Sequence, residues 1–121
     1  MSASEPTVPA PPTIPLTDDA RKAYKDLYDT MQAAIEGTID VATLEALNAR
    51  QAEVDRVLTQ DAMYRLHAQS ALFDTLCKQI NDTNDGLKKL QAQIESIASG
   101  FNDAGQVLAA IDKVLTLVPG L

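Results

Sequence analysis

Fourteen positions repeat in alternating steps of three and four: Phe73, Leu76, Ile80, Thr83, Leu87, Leu90, Ile94, Ile97, Phe101, Ala104, Leu108, Ile111, Leu115 and Val118. That spacing puts all of them on one face of a helix, the pattern of a coiled-coil seam. A seam holds helices against one another and carries no reactive group. It therefore constrains architecture and leaves activity open.

The rest of the composition agrees with helices. Trp is absent and aromatics are 4% of the 121 residues, so Leu, Ile, Val and Ala must build the interior. These suit packed helices better than sheets. Five of the six prolines, Pro6, Pro9, Pro11, Pro12 and Pro15, fall in residues 1–16, a composition that favours extended chain and cannot bury a core. Residues 1–16 read as a disordered Pro-rich leader or tether, and residues 17–121 as one helical coiled-coil domain. A domain of that size buries roughly two-thirds of the surface its unfolded chain exposes, which leaves no room for a deep enclosed pocket.

Within the domain, Thr17 is a helix cap with Asp18 and Asp19 behind it, where carboxylates complement the positive end of the helix dipole. Ala20, Tyr24, Leu27, Tyr28, Met31, Ala34 and Ile35 then mark one helical face that Gly37 stops. Asp40 caps a second helix, with Ile39 placed to staple onto Leu44. Its stripe runs Leu44, Leu47, Gln51, Val54, Leu58, Ala62, Leu66, Gln69, Phe73, Leu76 and Ile80. Three successive steps of four, from Val54 to Leu66, break the heptad locally. Gln51 and Gln69 on the stripe read as register or partner determinants.

Asn81 to Gly86 reads Asn-Asp-Thr-Asn-Asp-Gly, six poor helix formers and good turn formers. The run predicts a break that folds residues 41–118 into a hairpin of two matched arms. Against it, the seam passes through Thr83 without losing phase, which allows one continuous helix about 115 Å long instead. Gly100 and Gly105 in the third arm mark a close helix approach, a kink or a second short break. The expected fold is all-α: a short N-terminal helix plus a long helical hairpin, as a three-helix bundle or antiparallel coiled coil, with one very long helix as the alternative.

No catalytic constellation can be assembled. His67 is the single histidine, with Tyr64 three residues before it and Met63 four before it, so the Glu-x-x-His pairing of a carboxylate-bridged metal site is absent. Cys77 is the single cysteine and rules out an internal disulfide. The glycines at 37, 86, 100, 105 and 120 form no phosphate loop. No catalytic residue, cofactor or metal is expected, and the role is read as non-enzymatic. The net charge of −7 is spread along the chain with no basic stripe, which argues against nucleic acid as a partner. The sequon Asn81-Asp82-Thr83 means nothing without a secretory route. The first residues lack a signal-peptide pattern, so the expected location is cytoplasmic, or exported without a cleaved signal.

The first functional expectation is a helical adaptor, chaperone or assembly subunit acting through its seam. Its partner is another copy of itself or another helical protein. The N-terminal helix is about half as long as either arm, so part of the seam stays uncovered; Leu87, Leu90, Ile94, Ile97, Phe101, Leu108, Ile111 and Leu115 are the expected partner contacts. The second expectation is a membrane-active α-helical component of a toxin-like or secretion/injection system. In it, the amphipathic segment Val107 to Val118 enters the lipid interface.

Overall fold

A computed structural model describes residues 15–38, 40–96 and 104–118. It contains four helices: α1 (Asp18–Gly37), α2 (Val41–His67), α3 (Ser70–Ser96) and α4 (Ala104–Leu117). Helices make up 92% of the described residues, with no strand among them. The all-α fold with a long helical hairpin is therefore what the chain adopts. The hairpin is α2 and α3, two helices of 27 residues each.

Both expected caps are in place. Thr17 accepts a hydrogen bond from the Ala20 amide at 3.1 Å. The Asp40 carboxylate accepts from the Thr43 hydroxyl at 2.6 Å and from its amide at 2.8 Å, and these bonds hold its pKa below the ordinary carboxylate value. Ile39, the expected staple residue, lies outside the described residues.

The corner of the hairpin is not where the turn formers stand. Residues 81–86 lie inside α3, and the chain turns instead at Ala68 and Gln69. Ala68 takes the left-handed conformation (φ 49°, ψ 36°) and its amide donates to the Tyr64 carbonyl at 2.7 Å. The single continuous helix is thus also excluded, and Gln69 belongs to the corner rather than to a seam. Tertiary contacts explain why a run of turn formers stays helical. Asn84 accepts a bond from the Tyr24 hydroxyl at 2.8 Å and donates to the Val118 carbonyl at 2.7 Å. Thr83 is fully buried and donates to the Glu53 carbonyl at 3.4 Å. At Gly86 an added Cβ would fall 2.0 Å from the Arg50 guanidinium, so the bare backbone admits the Arg50–Glu53 ion pair of α2 (2.8 Å).

The third arm divides into the end of α3 and a separate helix α4. Residues 97–103 lie outside the described residues, which leaves Gly100 untested. α1 packs on α2 and α4, and α3 packs on α2 and α4. The Asn84–Val118 bond places the end of α4 beside the middle of α3, so α4 runs back along α3. Gln51 donates to the Tyr28 carbonyl at 3.3 Å and to Gln32 at 2.9 Å, and the Leu16 amide donates to Asp61 at 2.7 Å; together these align α1 antiparallel to α2. The result is an up-down-up-down four-helix arrangement. Its core holds Tyr24, Leu27, Met31, Leu47, Val54, Val57, Leu76, Ile80, Leu87, Val107 and Ile111, all fully buried.

Candidate interaction surface

The expected partner contacts are occupied within the chain itself. Leu87, Leu90, Ile94 and Ile111 are at most 4% exposed, and Leu108 and Leu115 pack half-buried against the same core. Ile97 and Phe101 lie outside the described residues. Among the described residues, these expected contacts are therefore covered by the chain's own helices, and their burial does not call for a second chain. Of Leu108, Ile111, Leu115 and Leu117, the apolar side of the segment considered for lipid, Ile111 is buried in the same core, Leu108 and Leu115 pack against it half-buried, and Leu117 is exposed. No described helix is long and apolar enough to cross a membrane.

Apolar surface remains at the hairpin corner. Here α1 is too short to follow α2, because its first residues stand level with Asp61. The Leu16 amide donates to Asp61 Oδ1 at 2.7 Å, and Arg21 donates to Asp61 Oδ2 at 2.7 Å. The remaining six residues of α2, about 9 Å of helix, and the first turns of α3 form a tip of two helices. Leu66 is 79% exposed there, Met63 40% and Phe73 39%. Phe73 keeps its inner edge against Tyr64, with ring centroids 5.8 Å apart at 59°, the tilted geometry that aromatic pairs prefer. Among the described residues, Val41 and Leu117 are the other large exposed hydrophobics, at separate places.

The signal for this tip was present in the sequence as the three steps of four. Each step of four rotates about 40° around a helix, so Leu66 stands about 120° away from Val54. Exposure follows the rotation: Val54 is buried, Leu58 and Ala62 are half-buried, and Leu66 is exposed. The core position seven residues after Val54 falls to Asp61 instead, whose side chain is fully buried. Its carboxylate is satisfied by three donors, Leu16 N, Arg21 and Arg65 Nε (2.8 Å), as a buried charge requires. Arg65 also donates to the Leu16 carbonyl. This cluster fastens the start of α1 at the base of the tip.

Other chemistry-bearing groups stand apart. Cys77 is half-buried, and burial, then the Asp74 charge, push its thiol pKa up, the direction that disfavours a reactive thiolate. Burial raises the Tyr24 hydroxyl well above its ordinary value despite the Asn84 bond. His67 is exposed at the end of α2. Among the described residues, no group of three or more His, Cys, Asp or Glu is arranged to hold a metal ion. No protein-family model, no curated protein and no solved structure matches this chain.

Proposed function

We propose that this chain is a non-enzymatic helical interaction module that presents the tip of its α2–α3 hairpin to another helical protein. The supporting observation is the placement of Met63, Leu66 and Phe73 on a section where two helices stand without the other two. Apolar and aromatic anchors ringed by polar residues are what partner pockets take up. The membrane-active alternative requires α4 to leave the bundle. That would uncover Val107, Ile111 and Val114 at about 1.5–3 kcal/mol for each large side chain, so the tip reading is preferred.

A photo-reactive amino acid at position 66 tests the proposal in the native host. The expected result is a cross-linked protein species that is absent when the probe stands at exposed position 88 on the α3 surface. Identical cross-linking patterns from the two positions would remove the tip from consideration.

A further inference from the structure

We infer that Gln51, Asp61 and Asn84 select what covers the seam of the α2–α3 hairpin: they admit the chain's own α1 and α4 and exclude the hairpin of a second copy. This is independent of the tip reading. Helix lengths define the competitor. α2 and α3 have 27 residues each, about 40 Å, against 20 for α1 and 14 for α4. Two copies laid seam to seam would make a four-helix bundle with matched arms. Leu47, Val54, Leu76, Ile80 and Leu87, all fully buried in the single chain, would be buried there too. Apolar burial alone therefore does not disfavour the pair.

Polar groups do. Among the described residues, the buried polar and charged ones are Gln51, Asp61, Thr83 and Asn84, all on the hairpin. Thr83 is satisfied inside the hairpin by the Glu53 carbonyl. The other three reach out of it. Gln51 donates to the Tyr28 carbonyl and to Gln32 of α1. Asp61 accepts from Arg21 of α1 and from the Leu16 amide just ahead of it. Asn84 accepts from Tyr24 of α1 and donates to the Val118 carbonyl after α4. Exchanging α1 and α4 for a second hairpin breaks all of these bonds and leaves only Arg65 with Asp61. The facing seam brings back the same groups, and Asp61, an acceptor only when ionised, cannot pair with its own copy. A buried polar group left unpaired costs about five- to 150-fold in an equilibrium constant, and a pair of chains carries each group twice. Polar residues on an otherwise apolar seam select partners in this way.

Sedimentation equilibrium of the full chain, combined with amide hydrogen exchange, tests the inference. The wild type should be a monomer in which α1 and α4 are protected. Replacing Gln51→Leu and Asn84→Leu together should bring a dimer into the same concentration range. In that dimer α1 and α4 should lose protection while α2 and α3 keep it. A double variant that stays helical and monomeric would overturn the inference. So would a wild-type dimer whose α1 and α4 are unprotected, because the polar groups would then exclude nothing. If the double variant does not fold, Gln51→Leu alone decides: it should associate more tightly than the wild type, and an unchanged monomer would count against the selection.

Discussion

The body of the bundle and the tip of its hairpin are made from the same two helices, yet they differ in what stands against them. In the body, Leu47 and Val54 of α2 and Leu87 and Leu90 of α3 face α1 and α4, and their exposure is at most 2%. At the tip, both covering helices have ended and Leu66 is 79% exposed. Burial in this molecule thus follows the lengths of α1 and α4, which are 20 and 14 residues against 27 for each hairpin helix. Apolar character alone does not predict it.

The largest test of this contrast is truncation on either side of it. Leu47→Ala and Leu87→Ala should each lose about 2–5 kcal/mol of stability, the range for buried leucines. Leu66→Ala should stay within about 0.5 kcal/mol. Urea unfolding followed by circular dichroism measures all three. A loss at Leu66 as large as that at Leu87 would mean that the tip is as covered as the body, and the contrast would fail.

A smaller effect separates the two kinds of residue inside the run 81–86. Asn84→Ala removes the partner of the buried Tyr24 hydroxyl and of the Val118 carbonyl, and should cost about 1–3 kcal/mol. Asp82→Ala touches an exposed pair with Lys78 and should leave stability nearly unchanged. Equal unfolding midpoints for the two variants would show that contacts from α1 and α4 do not hold this part of α3.

The smallest expected effect lies at the corner. Ala68 has a positive φ, a conformation that disfavours a Cβ. Ala68→Gly should therefore raise stability by about 1 kcal/mol. Thermal unfolding would register this as an increase of about 4–8 °C for a domain of this size. An unchanged or lowered midpoint would mean that the tip is not built around this left-handed residue.

Much of the fold was legible because it rests on neighbours in sequence. Thr17 and Asp40 cap their own next turns, and the seam from Phe73 to Ile94 keeps its phase through Thr83 because that residue is in fact helical. The corner was illegible for the opposite reason: Ala68-Gln69 contains neither Gly nor Pro, whereas Asn81 to Gly86 contains every local sign of a turn. The surface at Leu66 was half legible. Its drift off the heptad was visible, but its exposure depends on where α1 begins.

Sequence alone therefore determined that this chain is helical, where two of its helices start, and which faces are apolar. These properties come from backbone propensities and side-chain spacings within a few turns. Only the tertiary structure decided where the long hairpin bends and which helices cover its seam. Propensity differences amount to a few tenths of a kcal/mol per residue, up to about 1 for Gly. A satisfied buried group outweighs them, and Asn84 finds its partners 60 and 34 residues away.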